Sequence, residues 1–291
     1  MKHAVLGAGA IGGLIGTALA SLGEDVIVVV RPNKLANYPR TLTLERPSGT
    51  ITAPARAVTR LTEPVDVLWI STRTYQLDDA LKAIESAPKM IVPLLNGVDH
   101  IEKLRARFDH DTVVSATIAV EAERLAPGHF VQRSPFVRLN LASSAEPALG
   151  AIVARLSDMG FTCQFMANEQ TLLWSKLCFL APMALTSSAS GRDKGGMFAE
   201  PEWKRKLYSA VDEACAVARA SGAEVDAAKI LAFIESLPNG MRSSMQKDVG
   251  AGRQLELDGI GGPIVHGGER YGIPVPATKG LMAEIRANTA A

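Results

Sequence analysis

The sequence has 291 residues, of which 47% are hydrophobic and 21% charged, and its formal net charge is +1. This length predicts about two domains, and the balanced charge gives no excess of basic residues that would indicate binding to nucleic acid or to an anionic membrane. The five histidines are scattered and the three cysteines form no Cys-x-x-Cys pair, so we expect neither a metal site nor a disulfide framework.

The strongest motif lies in the first 31 residues. An apolar run at residues 3–6 predicts a buried strand, and the segment Gly7-Ala8-Gly9-Ala10-Ile11-Gly12 follows it directly. An apolar helical repeat and a second apolar strand, residues 25–30, come next. Strand, Gly-x-Gly-x-x-Gly, helix and strand in this order are typical of dinucleotide binding, with the pyrophosphate at the helix N-terminus. We therefore expect all six motif residues to bind the cofactor, and a glycine-rich turn that binds nothing is the alternative.

Arg31 ends the second strand, at the position that faces the adenosine ribose in a dinucleotide fold. An acidic residue there would bind the 2′-hydroxyl of NAD, whereas an arginine accommodates the 2′-phosphate of NADP. Arg31 therefore predicts NADPH/NADP+ as the cofactor, and a solvated arginine at a strand end is the alternative. Residues 41–44 and 51–58 alternate like an exposed hairpin inserted into this fold.

Two further apolar strands end in polar residues. Residues 65–70 lead into Ser71-Thr72-Arg73, and residues 89–95 lead into Asn96-Gly97. Ligands of open parallel sheets bind beyond the carboxyl ends of the strands. We therefore expect Arg73 to meet the cofactor phosphates or the substrate, and Asn96 to have a binding role. The alternative for Asn-Gly is a plain tight turn.

The remaining pattern predicts an α/β protein with an N-terminal Rossmann dinucleotide-binding domain, residues 1–166, followed by an all-helical C-terminal domain, residues 167–291. A cleft between two such domains would be a natural substrate site. The first domain is completed by a helix at 99–108, an apolar stretch at 113–120, a turn at Pro127-Gly128, a helix at 146–159 and a strand at 161–166. The second contains predicted helices at 168–189, 199–221, 226–235, 243–262 and 277–288.

Two charged residues lie at unusual places in the predicted helices. Lys176 has Leu172 and Leu180 four residues on either side, so it shares their apolar stripe. It either extends to solvent over its neighbours or faces the inter-domain cleft, where desolvation would lower its pKa and favour proton donation. Glu256 shares a predicted helical stripe with apolar and glycine residues and needs a partner, for which Lys176 is the simplest candidate.

The chain resembles the ketopantoate reductase family (2-dehydropantoate 2-reductases) over almost its whole length. The glycine motif is shared with many other families, whereas the segments around Lys176 and from 243 to 258 are specific to this one. The matching segments are Gly7 to Gly12, Arg31, Arg73 to Gln76, Asn96-Gly97, Trp174 to Leu177, Ser243 to Asp248, and Glu256 to Asp258.

The resemblance implies an NADPH-dependent reductase that converts a 2-keto acid into a 2-hydroxy acid. In this family the lysine matching Lys176 donates the proton and the asparagine matching Asn96 contacts cofactor and substrate. Residues matching Ser244 and Glu256 line the site, so Lys176 and Glu256 are expected to be catalytic, and Asn96 and Ser244 to bind substrate. Arg73 stands where the family usually has a lysine.

Four positions depart from the family pattern and affect the predicted substrate. Leu180 and Ala184 replace two asparagines that hold the substrate, Leu95 replaces a glutamine, and Gly261 an asparagine. At roughly 0.5–1.5 kcal/mol per neutral hydrogen bond, two or three losses weaken binding of ketopantoate about tenfold or more. We therefore expect a more apolar or bulkier keto acid or ketone.

The resulting prediction is an NADP-dependent oxidoreductase that acts on a small-molecule keto acid or ketone. The alternatives are a genuine ketopantoate reductase and a non-catalytic NADPH-binding sensor. We expect a cytoplasmic protein, since the sequence starts with a predicted strand and no apolar run reaches membrane-spanning length. A homodimer is possible by analogy with related folds.

Overall fold

The computed structural model of the chain describes residues 1–290, which form two compact units. The first unit comprises Met1–Leu95 and His100–Ala167. The second comprises Asn96–Asp99 and the chain from Asn168 onward. The segment that follows the fifth strand of the parallel sheet therefore belongs with the C-terminal helices, although its flanking residues do not.

All twelve strands described within residues 1–290 lie in the first unit. In chain order they are β1 (Lys2–Leu6), β2 (Asp25–Val29), β3 (Thr41–Glu45), β4 (Ile51–Pro54), β5 (Arg56–Val58), β6 (Val67–Ile70), β7 (Met90–Pro93), β8 (Ala116–Ala119), β9 (Ala122–Ala126), β10 (His129–Gln132), β11 (Val137–Ala142) and β12 (Phe161–Met166). The first helices in the chain are α1 (Ala10–Ser21), α2 (Pro32–Leu35), α3 (Leu77–Leu81), α4 (Asp99–Arg105) and α5 (Glu146–Asp158).

A five-stranded parallel sheet, in the order β5-β2-β1-β6-β7, is the centre of this unit. The strands β1, β2, β6 and β7 are mostly apolar and buried because both faces of a parallel sheet are covered, whereas the edge strand β5 is partly exposed. Leu6 pairs with Val29 on one side and Ile70 on the other, so β1, β2 and β6 end at one edge of the sheet. This confirms the predicted Rossmann fold and places the glycine motif and Ser71 at that edge.

Residues 41–44 and 51–58 were predicted to form an exposed hairpin, and the predicted exposure is wrong. β3 and β4 do pair antiparallel, with Leu42 opposite Ala53, but Leu42 and Leu44 are fully buried. They belong to a second sheet, β4-β3-β10-β9, which packs against α1, where Phe130 occupies the space beside Gly13. Alternation in the sequence indicates two different faces but not whether the apolar face is covered. The segment β5, also assigned to this hairpin, instead extends the parallel sheet.

A third sheet, β12-β11-β8, contains the strand β11, which was not predicted. β11 pairs parallel with β12 and antiparallel with β8. Its residues Val137, Leu139 and Leu141 are buried and alternate with Arg138 and Asn140, a pattern that the sequence already shows. The short helix α3 was not predicted either.

The second unit contains the remaining helices described. They are α6 (Glu169–Ser190), α7 (Lys194–Ala199), α8 (Pro201–Ala220), α9 (Ala227–Ser236), α10 (Ser244–Gly250), α11 (Leu257–Ile260), α12 (Gly262–Tyr271) and α13 (Pro276–Ala290). The helix α6 begins at the cap residue Asn168, whose side chain accepts a hydrogen bond from the Thr171 amide. It is the central helix of this unit and packs against α8, α10 and α13.

The helix α6 is the longest apolar helix of the second unit. By length and composition alone it is apolar enough to cross a membrane. Its most apolar 18-residue window is 78% buried inside the protein, as expected for the central helix of a folded core.

The predicted helix 243–262 is not continuous. α10 ends at Gly250, residues 251–256 form a loop in which Gly252 has a φ of +60°, and α11 and α12 follow. Glycine readily adopts this left-handed conformation, which ends a helix. The helical stripe that was predicted to carry Glu256 therefore does not exist, and this residue reaches its position through a loop.

Candidate active site

The glycine motif forms the turn between β1 and α1. Gly7 has a φ of +102°, and a Cβ atom on Gly12 would lie 2.1 Å from the Gly7 carbonyl oxygen, so neither position accommodates a side chain. A Cβ atom on Gly9 would meet nothing within 4 Å, which leaves open space beside the loop. Gly9 is the N-cap of α1, and no side chain caps this helix. These features fit a dinucleotide pyrophosphate, because the N-terminal amides remain available for an anion.

The two predicted arginines also belong to the first unit. Arg31 is exposed and is the N-cap of α2, two residues beyond the end of β2. Arg31 forms no ion pair within residues 1–290. Arg73 is half-buried and lies three residues beyond the end of β6, before a 3-10 turn at Thr74–Gln76. Both arginines therefore follow carboxyl ends of strands in the parallel sheet, the edge at which ligands of such sheets bind.

The segment Asn96–Asp99 is held against the helices of the second unit. Gly97 has a φ of +81°, and a Cβ atom there would lie 2.0 Å from the carbonyl oxygen of Gly259 in α11. Asp99 Oδ2 lies 2.8 Å from His266 Nδ1 of α12. Glycine at 97 is thus required both by its backbone conformation and by this close approach. The Asn-Gly pair forms a bend that brings Asn96 to the helices.

Asn96 connects Lys176 and Glu256, the two charged residues that were predicted to be catalytic. The Lys176 Nζ atom donates a hydrogen bond to Asn96 Oδ1 at 3.1 Å, and Asn96 Nδ2 donates to Glu256 Oε2 at 3.2 Å. The asparagine amide therefore lies between an ammonium group and a carboxylate, and each end of the amide faces the charge that it can bind. We call these three residues the Lys-Asn-Glu cluster.

The surroundings of Lys176 change its acidity. The side chain is half-buried on α6, and burial lowers its pKa to about 8, while the negative charge of Glu256 opposes this change. Glu256 is only 4% exposed and lies at the start of α11. A lysine with a pKa near 8 is protonated at neutral pH and can release its proton easily.

Ser244 is not joined to this cluster by a hydrogen bond. It is exposed at the first turn of α10, and its hydroxyl forms no hydrogen bond within the part of the chain that the structure describes. The neighbouring Ser243 caps the helix by accepting from the Gln246 amide at 3.1 Å, and its hydroxyl lies 2.8 Å from that of Ser187.

The four residues that depart from the family pattern differ in exposure. Leu180 is half-buried on α6, one turn beyond Lys176. Ala184 is 1% exposed and lies in the helical core, and Leu95 is 3% exposed. A Cβ atom on Gly261 would lie 2.6 Å from the Met282 sulfur. Leu180 is therefore the member of this set that is most accessible to a ligand.

A Rossmann unit and a hydrogen-bonded cluster that contains a lysine of lowered pKa are the features expected of an oxidoreductase that uses a nicotinamide dinucleotide. The family comparison identifies it more closely. The family model described as "Ketopantoate reductase PanE/ApbA" matches residues 3–145, and "Ketopantoate reductase PanE/ApbA C terminal" matches residues 168–289. The chain belongs to the ketopantoate reductase family.

Individual relatives agree with this assignment. The 2-dehydropantoate 2-reductase of Caulobacter vibrioides is 29% identical, over 98% of both chains. The crystal structure of a PanE/ApbA family ketopantoate reductase from Ralstonia eutropha JMP134 is 26% identical, covers 100% of this chain and 99% of its own, and superposes with a TM-score of 0.87. A D-mandelate dehydrogenase, solved with NADH and anilino(oxo)acetate, shares the fold at 21% identity, with 100% and 99% coverage and a TM-score of 0.86.

Proposed function

We propose that this protein is an NADPH-dependent reductase of a 2-keto acid or a related ketone, with Lys176 as the proton donor. The observation that carries the proposal is the Lys-Asn-Glu cluster, in which an ammonium group of lowered pKa is hydrogen-bonded to an amide that a buried carboxylate holds. Residues 1–166 would bind NADPH, and residues 167–291 would bind the substrate.

Bound NADPH would supply a hydride to the carbonyl carbon of the substrate. The Lys176 ammonium donates its proton to the carbonyl oxygen as negative charge develops there, and the lysine is left neutral. Because burial disfavours the charged form of Lys176, loss of the proton is easier than from a solvated lysine. Asn96 orients the ammonium group, and the Glu256 charge keeps it protonated until the reaction.

The glycine motif and the two arginines would bind the cofactor. Gly9 leaves open space for the pyrophosphate, Gly7 and Gly12 allow the backbone of the loop to pack closely, and the backbone amides at Ala10 and Ile11 begin the uncapped helix α1. Ala8 completes the loop. Arg31 would bind the 2′-phosphate and Arg73 another phosphate group, while Asn96 would also contact the cofactor and Ser244 the substrate.

Arg31→Asp is expected to shift the cofactor preference from NADPH toward NADH. A carboxylate repels the 2′-phosphate but accepts a hydrogen bond from a ribose hydroxyl, so kcat/KM for NADPH should fall roughly 10²-fold. The value for NADH, measured with the same substrate, is the internal control and should fall little or rise. An unchanged ratio of the two values would contradict the role of Arg31.

Leu180 points to a substrate with an apolar side chain. We expect the wild-type protein to reduce 2-oxo-3-methylbutanoate better than ketopantoate, which differs from it by one added hydroxymethyl group. A leucine cannot form a hydrogen bond with that hydroxyl group. Leu180→Asn should shift the ratio of the two kcat/KM values toward ketopantoate by about tenfold, the scale of one hydrogen bond in a binding site.

The control for this change is Leu125→Asn, since Leu125 is 49% exposed on β9 in the first unit. This variant should leave the ratio unchanged. If wild-type protein already prefers ketopantoate and Leu180→Asn does not alter the ratio, the protein is a genuine ketopantoate reductase and the role given to Leu180 is wrong.

We also propose that the protein forms a homodimer in the cytoplasm. A solved ketopantoate reductase from Staphylococcus aureus with the same fold, 19% identical, is described as dimeric. Sedimentation equilibrium tests the proposal, because a mass of 30.9 kDa, that of one chain, would contradict it.

A further inference from the structure

Arg124 lies beside the glycine motif, although no sequence motif includes it. It is exposed on β9, a strand of the sheet that packs against α1. Its Nη1 atom donates a hydrogen bond to the carbonyl oxygen of Ala8 at 3.2 Å. A strand more than a hundred residues distant in sequence thus places a guanidinium group at the loop that precedes the N-terminus of α1.

The guanidinium group of Arg124 lacks an ion-pair partner among the described residues 1–290. The adjacent Glu123 is bound to Arg133 instead, with an Nη2 to Oε2 distance of 2.9 Å. The nearby N-terminus of α1 is itself electropositive, and its first turn contains no acidic residue. Two positive groups therefore lie together, an arrangement that an anion would stabilise.

The guanidinium group also retains donors for such an anion. Arginine has five N–H donors in a planar fork, and the Ala8 carbonyl uses one of them. Tyr38 is also near enough to interact electrostatically with Arg124: burial raises the pKa of this tyrosine to about 12, and the Arg124 charge opposes the change. The Tyr38 phenol is therefore neutral and does not compensate the arginine.

We propose that Arg124 is a cofactor-binding residue that contacts the pyrophosphate of NADPH. The inference rests on the proposed function only in taking NADPH as the ligand. It assigns to Arg124 a group that NADPH and NADH share, whereas Arg31 is assigned to the 2′-phosphate that only NADPH has. Replacement of Arg124 should therefore weaken the binding of both NADPH and NADH, whereas replacement of Arg31 should weaken the binding of NADPH alone.

The test is to measure dissociation constants of NADPH and NADH by isothermal titration calorimetry, without substrate. Arg124→Gln should weaken both cofactors by a similar factor, roughly tenfold, the usual scale for a hydrogen bond to a charged group. It should also reduce the loss of affinity between low and high salt, because one cation that contacts the phosphates is gone. Arg31→Gln should weaken NADPH alone.

The matched control is Arg138→Gln, which removes an exposed arginine from β11 in a different sheet and should leave both constants unchanged. Arg124→Lys, which retains the charge but loses the planar fork, should be intermediate. Unchanged affinities in Arg124→Gln, or weakening of NADPH alone, would overturn the inference, provided that the ligand-free melting temperature of this variant equals that of wild type.

If the melting temperature of Arg124→Gln differs from that of wild type, Arg124→Lys takes its place. Unchanged affinities in Arg124→Lys, or weakening of NADPH alone, would then overturn the inference. Failure of wild-type protein to bind either cofactor would instead contradict the proposed function.

Discussion

Lys176→Ala is expected to lower kcat for keto-acid reduction about 10²–10⁴-fold, the usual contribution of a positioned general acid. The dissociation constant of NADPH should change little, because the lysine is assigned to the proton and not to the cofactor. Stopped-flow or steady-state NADPH oxidation measures the first quantity and calorimetry the second. Lys229→Ala, which removes an exposed lysine from α9 in the same unit, is the control and should retain wild-type turnover.

The pH dependence separates a chemical role of Lys176 from a structural one. Only the protonated lysine is an acid, and its pKa is lowered to about 8 by burial. For wild-type protein, kcat/KM should therefore be constant at lower pH and fall as the pH rises through about 8. The residual activity of Lys176→Ala should lack this decline. Retention of the same alkaline decline in the variant would assign it to another group.

Glu256→Gln should have the second-largest effect, and its direction follows from charge. Glutamine can still accept the hydrogen bond from Asn96 Nδ2, but the negative charge that raises the pKa of Lys176 is lost. The pKa should therefore fall below 8, and the alkaline decline of kcat/KM should move to lower pH. We expect roughly a tenfold or greater loss of kcat/KM at pH 8, since less of the lysine remains protonated.

Glu269→Gln provides the matched control for this variant. Glu269 is an exposed carboxylate in α12 of the same unit and forms an ion pair with Lys279 at 3.1 Å. Its replacement should leave the pH profile unchanged. A profile of Glu256→Gln that is unmoved, or moved to higher pH, would show that Glu256 does not maintain the charge of Lys176.

The glycine motif could be predicted in detail because its chemistry is local. The requirement for Gly7 and Gly12 arises within one turn between a strand and a helix, so a spacing of a few residues specifies it. The cap at Asn168, which the structure shows, is local in the same way, because its partner is three residues away. In both cases the interacting groups lie close together in the chain.

The geometry of the Lys-Asn-Glu cluster could not be predicted in this way. Lys176 and Asn96 are 80 residues apart, and Asn96 and Glu256 are 160 apart. The apolar stripe selected Glu256, but for the wrong reason, because it assumed a helix that in fact ends at Gly250. The position of Asn96 among the helices depends on the contact of Gly97 with Gly259, which only the folded chain shows.

The exposure of individual apolar residues also could not be predicted from the sequence. Leu180 and Ala184 lie one and two helical turns beyond Lys176, and the sequence suggested the same role for both. Ala184 is buried in the helical core, whereas Leu180 remains half-buried. Tertiary packing decides between such positions, so the substrate prediction rests on Leu180 rather than on the pair.

The most direct test of the central claim is the stoichiometry of NADPH oxidation with 2-keto acids, among them 2-oxo-3-methylbutanoate, phenylglyoxylate and ketopantoate. We predict that at least one of them is converted to its 2-hydroxy acid with one equivalent of NADPH consumed, and that Lys176→Ala loses this activity while still binding NADPH. Tight binding of NADPH without oxidation by any 2-keto acid or ketone would contradict the account and identify a cofactor-binding protein without catalytic activity.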